Sequence, residues 1–452
     1  MNNNTPSPID NYPANRIESM DILRGIAIIT IVVLHRLHYN WTAAGPGQDI
    51  EAGASLWVLY LLFYLMMMAG IFSLISGTVN SFIAYRRKSD GKSASRHLLS
   101  GGLSAGLWIL TLHYIQSIFF ANGFAVGRQR FGVILGWIQT GEMIPVTSKH
   151  YIESNALSMI GLVVIFITIV LFLVLRMQNQ RSLKKDIRLF IFLGSLILVS
   201  TPFVSYQLGL FKPALVHDGN YFGLTAINLF IGAYGMFPML AFGFYGAAIG
   251  AGIAGGVPPV LMKRALLFCG LTFFVIGGLG FFVLGGLDFH TIFDNTMSNQ
   301  FHWILFRLNQ LGFFLLLYRL FLSAVDFAGS ETKEKVLHVF HPARVFGLVS
   351  LTVFVSEPIL AEVLRKICDV LLPGWNEHLI LVIFFGVLCL IVWWLILNLW
   401  WKTARFAGSL EWLSAKVIRF MSGKKTTRSD FPFMSNSKIF WFVSKKKENQ
   451  IS

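Results

Sequence analysis

The sequence predicts an all-α, polytopic integral membrane helical bundle of about ten transmembrane helices, with N-terminus and C-terminus cytoplasmic. Three observations lead there. The 452 residues are 55% hydrophobic and 13% charged at a mean hydropathy of +0.64, where a soluble domain would carry about a quarter charged residues. Apolar runs of about 20 residues, long enough to cross about 30 Å of hydrocarbon, recur along nearly the whole chain. The basic residues gather on one side when successive loops are assigned to alternate faces.

Residues 1–18, rich in Asn and Pro at their start and without a cleavable signal pattern, are expected to form a disordered lead. Spans follow at roughly 22–42, 56–84, 98–120, 155–176, 188–210, 224–254, 265–287, 302–325, 345–371 and 379–401. The connection of about 121–154, containing GRQRFGVILGWIQTGEMIPVTSKH, is expected to re-enter the membrane or to lie along its interface. In the sixth span, GAYGMFPMLAFGFYGAAIGAGIAGG, Pro238 should kink the helix, and the small-xxx-small spacing of Gly246 and Gly250 lets helix backbones approach. An even number of spans returns the chain to the cytoplasm, where residues 406–452, with SGKKTTR and SKKK, form a polybasic tail suited to anionic headgroups.

A net charge of +15 and a pI near 9.8 would point to nucleic acid in a soluble protein. Here the distribution matters more than the sum. With the N-terminus inside, Arg86-Arg87-Lys88, Arg181 with Lys184, Lys185 and Arg188, Lys263-Arg264, Lys333 with Lys335 and Lys402 with Arg405 all fall on the cytoplasmic side. Basic charge is therefore topological, and nucleic-acid binding is excluded. Cys269, Cys368 and Cys389 lie in apolar runs, too few and too dispersed for a disulfide framework or a zinc cluster, and read as packing residues.

The chemistry concentrates in residues 21–38, DILRGIAIITIVVLHRLH. At about 100° per residue and with Asp21 as zero, Arg24 falls near ~−60°, His35 near ~−40° and His38 near ~−100°. Such a polar stripe must face protein or water. Arg24 and His35 are separated by about 16 Å along the helix axis, so one stripe links two depths of the membrane. Each residue also has a plain structural role. Arg24 is a positive-inside anchor, Asp21 a first-turn acid expected to pair with a local arginine, and His38 an interfacial residue. His35 is the hardest to dismiss, because an ionisable group inside a span is a functional candidate by default. His35 and His38 share a face, but neither an HExxH motif nor an acidic partner accompanies them, so no metal is expected.

Further polar residues sit within apolar runs. Glu357 precedes Pro358 in the ninth span, where the proline should kink the helix. Arg307, with Asn309 and Gln310, lies in the outer half of the eighth, and a buried Glu357–Arg307 pair would lower the desolvation cost of both. His113 shares a helical face with Gln116, either lining the same cavity as His35 or hydrogen-bonded within the bundle.

The pattern Arg16-Ile-Glu-Ser-Met-Asp21-Ile-Leu-Arg24-Gly25-Ile-Ala followed by His35 resembles the first span of the transmembrane acyltransferase superfamily. That group includes type-3 membrane acyltransferases, which acetylate surface polysaccharides, and heparan-α-glucosaminide N-acetyltransferase. The Arg24-x10-His35 spacing is similar to the arginine and histidine motif of the type-3 branch. The stretches FSLISG, FGLVSLTVFVSEPIL and RFAGSLEWL resemble an uncharacterised bacterial branch, and the middle of the chain matches mainly by span count.

The resemblance implies that residues 19–405 form a transmembrane acyltransferase-like domain. It implies transfer of an acyl group, most often acetyl, from cytoplasmic acetyl-CoA or another acyl-CoA to a hydroxyl or amine of a glycan or amino-sugar acceptor at the outer face. His35 would be catalytic, either as general base or as an acylated intermediate. The phosphates of coenzyme A need cationic or N–H donors on the inner side; Arg24, Arg86, Arg87 and Arg96 are the candidates, the last three also reading as a solvated positive-inside cluster. The pantetheine arm reaches on the order of 15–20 Å, which matches the Arg24-to-His35 rise. A rival from another class is a transporter or flippase of a small solute or lipid-linked sugar, against which stands the lack of matching interrupted helices in the two halves. A third is a non-enzymatic membrane scaffold. The expected location is the cell membrane, with membrane lipids as partners and the oligomeric state open.

Overall fold

The computed structural model of the protein describes residues 16–42, 64, 67–89, 95–122, 132–177, 182–232, 234–283 and 295–422. Its helices, in chain order, are α1 (Glu18–Asn40), α2 (Gly70–Ser89), α3 (Ser95–Phe119), α4 (Val133–Thr140), α5 (Lys149–Ile152), α6 (Ala156–Arg176), α7 (Leu183–Gly209), α8 (Lys212–His217) and α9 (Tyr221–Ile231). There follow α10 (Met236–Ala254), α11 (Pro259–Val283), α12 (Met297–Phe321), α13 (Ser330–Val339), α14 (His341–Leu348), α15 (Ser350–Leu371), α16 (Leu379–Ala404) and α17 (Leu410–Met421). Among the described residues there is no strand.

Seven stretches among the described residues are long and apolar enough to cross a membrane, or eight if α14 and α15, bent by 89° at their junction, count as one span. Large apolar side chains such as Phe192, Phe268, Leu279, Phe384 and Leu395 stand exposed on these helices. A water-facing surface does not tolerate that much contiguous apolar area, whereas hydrocarbon does. The chain is a helical membrane protein. Each segment expected to span holds helix among its described residues, with much of the second, residue 233 of the sixth and residues 284–287 of the seventh lying outside them. Of the connection at 121–154, residues 123–131 lie outside them too, and the remainder forms α4, which packs against α15, and α5.

The centre of the bundle is α10, buried almost without interruption from Pro238 to Ile253. Its glycines set the spacing to α2. A Cβ on Gly246 would lie 2.0 Å from the carbonyl oxygen of Leu74, and one on Gly250 2.1 Å from that of Thr78. Those backbones touch because neither position has a side chain, as the small-residue spacing predicts. The expected kink takes the form of a break: α9 and α10 are separate, Phe237 is extended, and the Phe237–Pro238 peptide is cis.

α1 is enclosed by protein. Gly25 and Gly347 lock it to α14, since a Cβ on Gly25 would fall 1.5 Å from the Ala343 carbonyl oxygen and one on Gly347 1.9 Å from that of Asp21. A π-helical turn, Leu322–Asp326, follows α12 and carries Asp326 to the start of α1. There its carboxylate accepts the backbone N–H groups of Glu18 at 2.9 Å and Ser19 at 3.1 Å, donors that a helix cannot satisfy within its own first turn. Glu18 is bridged to Lys333 at 3.0 Å and Arg344 at 2.9 Å, and Ile17 is buried. Arg16, Ile17 and Glu18 thus belong to the packed structure and not to the lead, because buried carboxylates and apolar neighbours hold them.

The ninth span departs from expectation. α15 continues helical through Pro358, and the sharp bend falls at Val349 instead. Glu411, in the first turn of α17, accepts the N–H of Leu351 at 2.6 Å and of Thr352 at 3.3 Å, while the Thr352 hydroxyl donates to it at 2.6 Å. An acid from another helix thereby caps the exposed N-terminal donors of α15 and allows the chain to turn there. Residues 406–422, assigned to the tail by sequence, accordingly form a docked turn and helix, with Ser414 accepting from the Trp108 indole at 2.8 Å. The rest of the tail lies outside the described residues.

Candidate functional site

The late turns of α1 bring His35, Arg36, Tyr39 and Asn40 beside Glu357 of α15. Adjacent residues on a helix diverge by about 100°, so His35 and Arg36 straddle whatever packs between them. Here that is the Glu357 carboxylate, 1% exposed. Oε2 lies 3.2 Å from Nδ1 of His35, and Oε1 accepts from Nη2 of Arg36. Arg36, itself 2% exposed, also donates from Nη1 to Asn40 at 3.2 Å and from Nη2 to Asn122 at 3.4 Å. The pair is neutral overall, and both Nη atoms of Arg36 and both oxygens of Glu357 are engaged while the buried Nε has no partner; opposed charge and hydrogen bonds are what allow two charges to be held out of water.

A carboxylate only accepts hydrogen bonds, so Nδ1 of His35 is the protonated nitrogen and, in the neutral ring, Nε2 carries the lone pair. The His35 side chain is 18% exposed. It lines a cavity of about 100 Å³ whose polar wall includes Tyr39, Gln116, Asn122, Glu153 and Asn155. Glu153 is solvent-exposed, which places the mouth of the cavity there. Asn155 does two jobs. Its side-chain oxygen caps α6 by accepting from Leu157 at 2.9 Å and Ser158 at 3.2 Å, and its amide donates to Gln116. Capping fixes the side chain that shapes the wall.

Arg24 stands in a second cavity, of about 180 Å³, with Ser76, Ser350 and a mainly apolar wall. It lies 3.9 Å from Asp21, whose nearer partner is Arg16 at 2.9 Å, the local pairing anticipated for this acid. Of the other cations proposed for a donor, Arg86 and Arg87 do not line this cavity. Phe72 and Ser76 are the α2 residues at this cavity, and Arg86 and Arg87 lie about 15 Å beyond Ser76 along that helix. The Arg96 side chain lies outside the described residues.

The remaining candidates separate. His38 packs edge-on against Tyr39, with ring centroids 4.7 Å apart, and is not part of the cavity wall. His113 is fully buried against Tyr114, at 4.8 Å, while Gln116 reaches the cavity without it. Arg307, the expected partner of Glu357, instead lies with its guanidinium 4.4 Å from the Trp303 ring centroid and donates to Gln310 at 2.9 Å. Stacking on an aromatic face and an amide acceptor satisfy it there, and Arg36 takes the role assigned to it.

Arg36 is the residue that sequence reasoning missed. The signal was present, since an arginine one position beyond His35 lies as deep in the apolar run as the histidine does. It sits near ~+60° on the helical wheel, outside the stripe that Asp21 and Arg24 define. Tyr39, Asn122, Glu153, Asn155, Tyr234 and Phe354 also line the cavity. Tyr39 belongs to α1 itself, and only the packing of four other chain segments around it reveals the rest. No family model, no curated protein and no solved structure matches the chain.

Proposed function

We propose that the protein is a membrane acyltransferase that moves a short acyl group, acetyl in the simplest case, from acyl-CoA to a hydroxyl or amine of a carbohydrate-like acceptor. One observation carries this reading: a carboxylate-held histidine lines a small polar cavity, while a separate cavity with one arginine lies toward the other end of the same helix. In this reading about ten helices cross the cell membrane, with both termini and Arg24 on the cytoplasmic side.

The donor occupies the Arg24 cavity, with a phosphate near the guanidinium and the hydroxyls of Ser76 and Ser350 available to the amides of the pantetheine arm. The acceptor occupies the His35 cavity, where Gln116, Asn122 and Asn155 offer amide groups to a polyhydroxyl ligand. Nε2 of His35 takes the proton of the attacking hydroxyl or amine as its bond to the thioester carbonyl carbon forms. The carbon–sulfur bond then breaks, and the imidazolium returns the proton to the departing thiolate. Glu357 stabilises the imidazolium and holds the ring in its tautomer. Arg36 balances the charge of Glu357.

The test is transfer of label from acetyl-CoA to glycans or amino sugars by the protein in liposomes, with His35→Ala as control. Label appearing in a covalent product only with the unsubstituted protein supports the reading. Uptake of a solute without any covalent product would replace it with transport.

A further inference from the structure

The two cavities share two wall residues, Ala156 and Phe354. Their chemistry changes across that wall. On the Arg24 side Phe354 faces company such as Ile28, Phe72 and Leu157, and on the His35 side Gln116 and Asn155. The Phe354 ring centroid lies 6.3 Å from that of His35, inclined by 56°. Ala156 opens α6 directly after its capping residue and has no side chain that can turn. Phe354 is therefore the movable half of the wall. Its backbone is also weakened: Pro358, four positions on, has no N–H to give the Phe354 carbonyl, and the bend at Val349 lies five positions before it.

We propose that Phe354 is the partition between a donor chamber and an acceptor chamber, and that its ring limits acyl length and keeps water from the thioester until an acceptor is in place. This assignment rests on the acyltransferase reading. When the ring turns aside, the thioester carbonyl reaches the nucleophile held at His35; the new carbon–oxygen or carbon–nitrogen bond forms, the carbon–sulfur bond breaks, and the proton passes through Nε2 to the thiolate. With the ring removed, water entering by the polar chamber takes the place of the acceptor. It forms the carbon–oxygen bond of a free carboxylic acid and releases the thiol of CoA.

The experiment begins with access and needs no turnover. Ser117, which lines the His35 cavity, is replaced by cysteine in the full-length protein in liposomes. A membrane-impermeant maleimide is applied to each face, with the unsubstituted protein as background for Cys269, Cys368 and Cys389. Ser117→Cys labels from one face only. Adding Phe354→Ala makes it label from both, and Phe354→Leu, which keeps most of the apolar contact, serves if the alanine variant does not fold. Labelling from both faces with Phe354 intact, or from one face with the ring removed, overturns the partition. In the same preparations the opened variant releases free acid from acetyl-CoA without acceptor several-fold faster and gains use of hexanoyl-CoA. Labelling as expected, with no acyl-CoA consumed by any variant, sustains the partition and rejects the acyltransferase reading.

Discussion

Nδ1 of His35 lies 3.2 Å from Oε2 of Glu357, although 322 positions separate the two in the chain. Because the carboxylate has no proton to give, the contact selects the tautomer of the histidine as well as its orientation. His35→Ala should lower acyl transfer by about 10²–10⁴, the usual worth of a positioned general base. Its melting temperature should change little, since Glu357 retains Arg36. Matched measurements of transfer and thermal unfolding check this; unchanged turnover would remove His35 from the chemistry.

Glu357 is more than an orienting group, because Arg36 is buried against it. Glu357→Ala leaves a buried guanidinium without its counter-ion and should cost about 3–5 kcal/mol. The double variant Arg36→Met with Glu357→Met removes both charges and should recover most of that loss. Denaturant unfolding of the two single variants and the double variant in detergent measures the coupling. Strictly additive losses would mean that the two charges do not depend on each other.

The contact of α1 with α14 is a backbone contact. Gly25→Ala should cost about 1–3 kcal/mol, as overpacking does, because the new methyl group would overlap the Ala343 carbonyl. Gly374→Ala is the control: a Cβ there meets nothing within 4 Å, so its penalty comes only from its left-handed φ of 79°. Circular dichroism melts of both proteins make the comparison.

Glu411 supplies a pH dependence outside the membrane-spanning segments. Burial raises its carboxyl above the ordinary carboxylate range, and the hydrogen bonds it receives from Thr352 and Leu351 oppose the rise without cancelling it. A carboxyl raised by folding holds more protons in the folded than in the unfolded protein. Its contribution is therefore fully present below the ordinary value of about 4.3 and is lost as pH climbs through the raised value. Glu411→Gln keeps an acceptor for the α15 N–H groups and removes the ionisation, so its melting temperature relative to the unsubstituted protein should increase with pH across that window. A constant or shrinking difference would show that the ionisation does not matter to docking.

The sequence by itself determined that this chain is helical and lives in a membrane, and where most of its long apolar helices run, because these depend on local hydropathy and on a helical period that any short window reveals. The glycine seam at Gly246 and Gly250 was legible for the same reason, as was the local pairing of Asp21. Only the tertiary structure decided which buried charge meets which. Glu357 could have paired with any cation at its depth, and the choice of Arg36 over Arg307 follows from how α15 packs on α1 and from the aromatic face that already holds Arg307. The bend at Val349 had the same origin, since its capping acid arrives from α17 about 60 residues later. Pairing across hundreds of residues depends on three-dimensional proximity, which no run of adjacent residues encodes.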